Sequence, residues 1–406
     1  MTTAPLDAAE GEALRASPAL SADFLVRVLQ DLVRARSVNP GIFEAQMVTR
    51  VQAWAEGTGA SVHPVEMFDD RYSVAVVLQG GHDGPRLVLN GHMDTVPIDG
   101  AEKWTSDPFG AEVRDGYVYG RGACDMKAGL AVQLGVLHHL APRVADMRGS
   151  LVLHFAAGEE CAEPGTLKLI EAGFTGDWGI VTEPTSLRVA TAERGIGYYT
   201  VRIPGRSIHA SRSHLGLNPL ERLPAVLEAL FAYDRDVRTK PHPLLPGGSC
   251  TPTVVHAGVK ENAVAEECVL LLDRRLLPGE TVDGELEEIR RRLAPISAAV
   301  ADEPIEVTRF RWSFQPAEIP ADSPFALRVQ DTFAAVTGRP TEIYGTPFAS
   351  DVHNLVNDAG MEAITFGPGN VEECHCIDER VLIDQLRDAA LVTAKVAEDL
   401  LLGDPA

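Results

Sequence analysis

The chain has 406 residues, of which 45% are hydrophobic, and its formal net charge is −22. This length predicts either one very large domain or a core domain with a second one, and it allows a sizeable buried core. The charge argues against nucleic acid and anionic membrane surfaces as partners, because phosphate groups are bound by clustered lysine and arginine.

The first half of the chain predicts helices that alternate with strands. Residues up to about 20 look like a loose arm, after which Ser21 begins a helix with its apolar residues on one stripe. The alternation favours a mainly parallel sheet covered by helices on both faces. The later predicted elements are a helix through Met47 and Trp54, strands at 72–78 and 86–90, a helix at 126–145, a strand at 151–157, a helix at 164–173 and a strand at 178–182.

The pattern changes after Gly195. The block that follows predicts the order strand-helix-strand-strand-helix-strand, an α+β arrangement of the ferredoxin-like type. After Pro324 the α/β pattern resumes, so we infer an α/β domain of residues 1–195 and 316–406, interrupted by an inserted domain of residues 196–315. The strands recognised in the block are 197–203, 269–276 and 305–312, and its helices follow Asn218-Pro219 and cover 281–294.

The location of the protein is predicted from its N-terminal residues, its apolar runs and its cysteines. The N-terminal stretch has no basic segment followed by an apolar one, so a signal peptide is not expected. No apolar run approaches the roughly 20 residues that span a bilayer. The six cysteines are scattered, which suits reduced thiols better than a disulfide framework. We therefore expect a cytoplasmic protein without membrane contacts.

Polar side chains follow three of the predicted apolar strands at the point where each strand ends. Ligands of open α/β sheets bind beyond the carboxyl ends of the strands, so we expect these side chains to converge on one crevice. They are His92 and Asp94 after the strand at 86–90, Glu159 and Glu160 after the strand at 151–157, and Glu183 after the strand at 178–182.

The spacing within these groups suggests metal chemistry. His92 and Asp94 are two residues apart and point to one side of an extended segment, and a carboxylate beside an imidazole is typical of metal ligands. Glu159 and Glu160 would repel each other if they were buried, unless a cation were bound. One of them could then bind metal while the other takes a proton from water. A chance His and Asp in a surface loop, and an exposed acidic loop, are the alternatives.

Two further segments carry candidate ligands. Asp125 lies in the glycine-rich segment GRGACDMK directly before a predicted helix, where it could cap the helix or bridge two cations. His375 lies between Cys374 and Cys376, after the predicted strand AITF at 363–366. In an extended segment the two cysteines would face away from His375, and the chain has no C-x-x-C partner for them. Carboxylate and imidazole ligands are therefore favoured over cysteine.

Taken together, these motifs resemble the zinc-dependent metallopeptidase and amidohydrolase family of acetylornithine deacetylase, succinyl-diaminopimelate desuccinylase, glutamate carboxypeptidase and aminoacylase. The matching segments cover nearly the whole chain and fall in the family's order. They are LVLNGHMDTVP (87–97), YGRGACDMKAG (119–129), AAGEE (156–160), VTEPT (181–185) and ITFGPGN with CHCIDE (364–379), with weaker matches at RARSVNP (34–40) and GRSIHAS (205–211).

The resemblance implies a centre with two zinc ions, for which cobalt or manganese could substitute. His92 and Glu183 would bind one ion, Glu160 and His375 would bind the other, and Asp125 would bridge them. Asp94 would orient the imidazole of His92, and Glu159 would be the general base. A cis peptide bond between Asp125 and Met126 is also implied.

The inserted block resembles the family's lid and dimerisation domain, which implies a homodimer. His209 would reach the active site of the neighbouring subunit and polarise the substrate carbonyl. Asn262 and Arg274 match positions that help to hold substrate. Asn262 lies in KENAVAEE, which departs from the family's usual pattern, and Arg274 could equally pair with a nearby glutamate. Arg275 faces the other way in the strand, so only one of the two arginines can serve.

The resemblance implies hydrolysis of an amide bond in a small N-acyl amino acid or a short peptide. ITFGPGN and YGTPFASD (344–351) favour a deacylase over a carboxypeptidase or dipeptidase. A non-catalytic binding protein on the same fold is disfavoured, because every motif acid, base and ligand is present. A nucleotide-binding protein is disfavoured because GRGACDMKAG lacks the spacing of a phosphate loop.

Overall fold

The computed structural model describes residues 8–68, 70–300 and 302–403. The chain forms two compact units. Unit 1 consists of the described parts of Met1–Thr191, Glu318–Tyr344 and Ser350–Ala406, and unit 2 of those of Ala192–Ala317 and Gly345–Ala349.

Helices occur in both units and are numbered in chain order. Within the described ranges, none of them has the length and apolar character needed to cross a membrane. They are α1 (Ala8–Ala16), α2 (Ala22–Arg34), α3 (Ala45–Ala55), α4 (Ala128–Leu140), α5 (Gly165–Glu171), α6 (Pro219–Arg238), α7 (Val282–Ala298), α8 (Pro324–Thr337) and α9 (Ile383–Leu401).

Strands are also numbered in chain order. They are β1 (Ser61–Phe68), β2 (Arg71–Gln79), β3 (His82–His92), β4 (Glu112–Arg114), β5 (Tyr117–Tyr119), β6 (Arg148–Ala156), β7 (Trp178–Val181), β8 (Val189–Glu193), β9 (Gly195–Pro204), β10 (Ser249–Ala257), β11 (Glu267–Leu276), β12 (Glu306–Arg309), β13 (Ala317–Glu318), β14 (Ile343–Thr346), β15 (Glu362–Thr365) and β16 (Arg380–Leu382).

The large sheet has the strand order β1-β2-β6-β3-β7-β15-β8-β13, with β14 paired to β8. Its centre, β6-β3-β7-β15, is parallel, while β1 and β2 run antiparallel at one side. Side chains of β6 are buried on both faces, as expected for a strand covered by helices. The predicted mainly parallel α/β class is therefore confirmed.

Helix α4 lies in the core of unit 1 and is buried on nearly all its faces. Its first turn passes so close to the end of β7 that a side chain at Gly129 would come within 2.1 Å of the Thr182 carbonyl oxygen. Only glycine permits this approach. The segment before the helix, which carries Asp125, is thereby held against the tip of β7.

Unit 2 contains an antiparallel sheet of order β10-β11-β9-β12. Its chain order β9-α6-β10-β11-α7-β12 is the predicted strand-helix-strand-strand-helix-strand pattern. Alternate residues of β9 and β11 are buried, and they share one core cluster with the apolar faces of α6 and α7. The two helices therefore cover one face of this sheet.

The prediction of a loose arm at the N-terminus is wrong for residues 8–16, which form α1; residues 1–7 lie outside the described part of the chain. Leu14 is 2% exposed and belongs to the core of unit 1, so tertiary packing holds a helix whose own apolar pattern is weak. The prediction that Ser21 begins a helix is confirmed: its side chain accepts the backbone N–H of Phe24.

Candidate metal centre

Neighbouring parallel strands bring three ligand-bearing segments together. His92 is the last residue of β3, and it pairs with Ala156 at the end of β6, directly before the turn that carries Glu159 and Glu160. On the other side β3 pairs with β7, which leads into Glu183. The carboxyl ends of the three strands thus lie at one edge of the sheet, where ligands of α/β sheets bind.

The His92 imidazole is surrounded by carboxylates. Its Nε2 atom lies 3.2 Å from Asp125 Oδ1, 3.4 Å from Glu183 Oε1 and 3.7 Å from Glu159 Oε2. The Nδ1 atom lies 2.9 Å from the backbone carbonyl oxygen of Asp94. Because a carbonyl oxygen can only accept, Nδ1 carries the ring proton and Nε2 presents a lone pair to the carboxylates.

The second imidazole faces the other oxygen of the same aspartate. His375 Nε2 lies 3.2 Å from Asp125 Oδ2 and 3.2 Å from Glu160 Oε2. The Asp125–Met126 peptide bond is cis, in agreement with the prediction. Asp125 therefore stands between the two imidazoles and presents one carboxylate oxygen to each.

Four of the five predicted ligands, together with Glu159, fall into two overlapping groups of potential ligand atoms. The fifth, His375, lies beside them, 3.2 Å from Asp125 and from Glu160. His92, Asp125 and Glu160 form one group, and His92, Glu159 and Glu183 form the other; in each, potential ligand atoms lie within 4.8 Å of one another. Glu159, which was expected to be the base, is thus as near to His92 as a ligand could be. Distance alone does not separate its two roles.

The cluster concentrates negative charge without lysine or arginine to balance it. In the described part of the chain, neither of these residue types forms an ion pair with Asp125, Glu159, Glu160 or Glu183. Burial and then the Asp125 carboxylate raise the pKa of Glu183 to about 7. Burial likewise raises the pKa of Glu159 well above its ordinary value. Imidazole and carboxylate donors without a counter-charge fit divalent cations such as zinc.

Asp94 does more than its predicted task of orienting His92. Its backbone carbonyl makes the contact with His92, while the nearest carboxylate oxygen is 3.6 Å from that ring. The carboxylate instead accepts the backbone N–H groups of Gly158 at 3.0 Å and of Glu159 and Glu160 at 3.2 Å. Asn39 Nδ2 donates to it as well, at 2.9 Å. A fully buried aspartate thus holds the turn that carries two candidate site residues.

A second buried carboxylate, Glu379, holds the turn of Asp125, a role that the motif match did not suggest. Its Oε1 atom accepts the backbone N–H groups of Cys124 and Asp125, each at 3.0 Å. Its Oε2 atom accepts from Arg121 Nη1 at 2.6 Å. The sequence signal was present, because Arg121 and Glu379 are charged residues inside two of the matching segments.

The three candidate residues of the inserted block lie in unit 2. The ring of His209 is exposed, and its Nδ1 accepts the backbone N–H of Ser211 at 3.2 Å. Asn262 is close by, since its backbone carbonyl accepts the N–H of Ala210. Arg274 is fully buried, and its guanidinium donates to Glu285 at 2.7 Å and to Glu280 at 2.8 Å. These pairs favour the structural alternative for Arg274.

Comparison with known proteins places this site in a family. N-formyl-4-amino-5-aminomethyl-2-methylpyrimidine deformylase of Halalkalibacterium halodurans is 26% identical over 391 residues, covering 89% of this chain and 91% of the relative. Succinyl-diaminopimelate desuccinylase of Thioalkalivibrio sulfidiphilus is 29% identical over 385 residues, covering 92% and 98%.

The fold also has close structural neighbours. The crystal structure of an M20 family metallo-carboxypeptidase from Sulfolobus solfataricus superposes with a TM-score of 0.79 at 16% identity, covering 92% of this chain and 98% of that one. The sequence profile of peptidase family M20/M25/M40 matches residues 88–399, which is more than half of the chain and includes every residue of the cluster. The chain therefore belongs to peptidase family M20/M25/M40 and is a hydrolase that acts on amide bonds.

Proposed function

We propose that the protein is a two-zinc deacylase that removes the acyl group from a small N-acyl amino acid. The observation that carries the proposal is the position of Asp125, whose Oδ1 and Oδ2 atoms lie 3.2 Å from His92 and His375 respectively. A carboxylate that offers one oxygen to each of two imidazoles is placed to bridge two cations. Paired metal sites of hydrolases lie about 3.5–4 Å apart, a separation that one carboxylate can span.

We assign the ligands to two sets that share Asp125. His92 and Glu183 would hold one zinc ion, and Glu160 and His375 would hold the other. When bound, the two ions supply Lewis-acid chemistry, which polarises the scissile carbonyl and makes water more acidic. Cobalt and manganese accept the same donors and could take the place of zinc.

Glu159 is the residue placed to move the proton. It is buried beside the cluster, and its carboxylate points at His92 from 3.7 Å, so it can accept a proton from the attacking water. The same carboxyl group then donates that proton to the leaving nitrogen of the amide.

His209 would stabilise the negative charge that develops on the carbonyl oxygen. Because its Nδ1 atom accepts from Ser211, the ring proton of the neutral form sits on Nε2, which is free to donate to an oxyanion. We propose that this donor serves the site of a second subunit in a homodimer, with Asn262 beside it contacting the substrate. Arg274 is a weaker candidate for that contact, since its guanidinium is already paired.

Removal of an acyl group is supported by two relatives whose names describe the loss of a formyl and of a succinyl group. The succinyl group is removed from diaminopimelate, which is an amino acid, and this relative supports the acyl amino acid class. A carboxypeptidase or dipeptidase remains the second candidate, and the carboxypeptidase neighbour supports it through the fold alone at 16% identity. We also propose that the protein resides in the cytoplasm, because small acyl amino acids are metabolised there.

One experiment tests these points together. The purified protein is analysed for metal content and assayed with N-formyl, N-acetyl and N-succinyl amino acids and with dipeptides, before and after chelation and zinc restoration. We expect two zinc ions per chain, turnover of an N-acyl amino acid, and loss of that turnover on chelation. Faster cleavage of dipeptides would replace the deacylase by the peptidase. Turnover that survives complete metal removal would contradict both.

A further inference from the structure

Two cysteines from distant parts of unit 1 are in contact beside the metal centre. Cys124 Sγ and Cys374 Sγ lie 3.6 Å apart although 250 positions separate them in the chain. Both also lie near the backbone carbonyl oxygen of Asn370, at 3.4 Å and 3.6 Å. These contacts are weak, so neither sulfur is committed to a strong partner. We call Cys124 and Cys374 the thiol pair.

The thiol pair joins the two segments that meet at the proposed bridging ligand. Cys124 directly precedes Asp125, and Cys374 directly precedes His375. Cys124 is fully buried, whereas Cys374 is partly exposed on the loop between β15 and β16. A change in the distance between the two sulfurs would therefore displace the backbone next to Asp125 or next to His375.

We propose that the thiol pair is a site of reversible oxidative modification, in which a hydroperoxide converts it to a disulfide and thereby disables the metal centre. The formation of the disulfide depends only on the contact between the two sulfurs. The effect on catalysis rests on the proposed function, because it assumes that His375 and Asp125 hold a catalytic ion.

The reaction balances with the hydroperoxide as the sole oxidant. The Cys374 thiolate attacks the peroxide oxygen, which gives a sulfenic acid and releases the other oxygen as water or an alcohol. The sulfur of Cys124 then attacks that sulfenic acid, the S–S bond forms and water leaves. Two thiols lose two electrons and two protons in total, and one peroxide O–O bond is reduced. A dithiol reductant reverses the change by thiol–disulfide exchange.

Closing the disulfide requires movement at the centre. A disulfide bond is about 2.0 Å long, so the two sulfurs must approach by roughly 1.6 Å from their 3.6 Å contact. The backbone N–H of Cys124 is bonded to Glu379, so we expect the loop that carries Cys374 and His375 to make this approach. His375 is half exposed, and its contacts to Asp125 and Glu160 are both 3.2 Å long. A shift of this size breaks ligand geometry at that half of the centre.

Limited access makes the oxidation slow. Cys124 is buried and Cys374 is only partly exposed, so an oxidant reaches the thiol pair slowly. The test therefore follows the reaction over time.

The test oxidises the zinc-loaded full-length protein with hydrogen peroxide and compares Cys374→Ser with its matched control Cys376→Ser. Cys376 flanks the other side of His375, and its sulfur faces the Glu373 carbonyl oxygen at 3.2 Å instead of a second thiol. Peptide mapping without reductant locates the disulfide, a chromophoric chelator measures released zinc, and dithiothreitol is then added. Turnover of the best substrate is followed in parallel.

We expect a 124–374 disulfide in the wild type and in Cys376→Ser, with a fall in activity of about tenfold or more, in line with the loss of a metal-orienting contact. About one zinc ion should be released, and dithiothreitol should restore activity once zinc is supplied. Cys374→Ser should start near wild-type activity and resist the oxidant.

Three results would overturn the proposal. The first is absence of the 124–374 link after prolonged oxidation, and the second is a link that leaves zinc content unchanged. The third is equal inactivation of Cys374→Ser and the wild type. Failure of the proposed function would look different, since the untreated protein would then lack hydrolysis of every substrate while the disulfide and the zinc release could still be measured.

Discussion

The carboxylate of Asp94 accepts the backbone N–H of Glu159 at 3.2 Å. The same oxygen accepts from Gly158, and the other one accepts from Glu160 and Asn39. One buried side chain thus fixes both the proposed base and a proposed ligand. The resemblance implied that Asp94 orients His92, and it did not indicate the turn that the Asp94 carboxylate holds.

Asp94→Asn should test this support without changing the size of the side chain. The amide replaces one accepting oxygen by a donor, so at least one of the backbone N–H groups of the turn loses its partner. We expect turnover or zinc affinity to fall about 10- to 100-fold, as for other groups that orient metal ligands. Steady-state kinetics and zinc titration measure the two effects. Asp83→Asn, on the exposed start of β3, is the control and should change neither.

Glu159→Gln should separate the two roles that distance alone leaves open for this residue. If Glu159 moves the proton, the variant keeps two zinc ions per chain and turnover falls about 100- to 10,000-fold, the usual contribution of general acid–base catalysis. Metal analysis and kinetics on the same sample decide the matter. Loss of one zinc ion in proportion to the lost activity would make Glu159 a ligand instead.

The buried pair of Arg121 and Glu379 should matter for stability. The guanidinium of Arg121 is 2.6 Å from Glu379, and the two residues are 3% and 0% exposed. Arg121→Met leaves the carboxylate buried without its partner, which typically costs about 3–5 kcal/mol. Urea unfolding of the zinc-free protein measures the change.

Lys168→Met is the matched control for that variant, because its partner Glu171 lies in an exposed pair on α5. Exposed pairs of this kind contribute about 0–1 kcal/mol. Equal effects of the two substitutions on the unfolding midpoint would show that burial of the Arg121 pair adds nothing to stability.

Stability should fall in mild acid because His154 is buried in its neutral form. Nε2 donates to the Phe174 carbonyl oxygen at 2.8 Å, and Nδ1 faces the amide nitrogen of Asn90 at 3.4 Å. Burial lowers the pKa of His154 to about 4. The hydrogen bond to the Phe174 carbonyl opposes this shift, and the positive charge of Arg86 adds to it.

The sign follows from the lowered pKa. In the unfolded chain His154 takes up a proton near pH 6.5, while in the folded protein it does so only near pH 4, so the stability present above pH 6.5 is lost as the pH falls. Between pH 7 and pH 5 the loss is about 2 kcal/mol. His154→Gln keeps a donor for Phe174 and should flatten this part of the pH profile. An unchanged acid slope in that variant would assign the effect to other groups.

The sequence could predict elements whose burial is periodic. The apolar residues of α2 recur on one stripe, and β3 and β6 each contain a short apolar run, so the elements and the polar residues at their ends were recognisable. The predicted order includes a strand between α6 and β11, but the residues of this strand, β10, were not located. Most of them are exposed at the edge of the sheet of unit 2, where pairing with β11 decides the conformation. No alternation of apolar residues marks such a strand.

Site chemistry was predictable to a similar degree. The types of residue near Asp125 indicated metal ligands. The family resemblance implied which of these ligands would bind the same ion. Which partners Asp94 and Glu379 select could not be predicted, because hydrogen bonds between distant segments depend on packing that no local pattern encodes.

The order in which the ligands occur along the chain has a consequence for synthesis. His92, Asp125, Glu160 and Glu183 all precede unit 2, whereas His375 follows it. During synthesis, four of these side chains therefore leave the ribosome well before the fifth is made. Until then, one carboxylate oxygen of Asp125 has no histidine beside it. In the proposed two-ion centre, loading of the second ion would therefore follow translation of the last segment, and assembly of the centre would be a late event in the maturation of the protein.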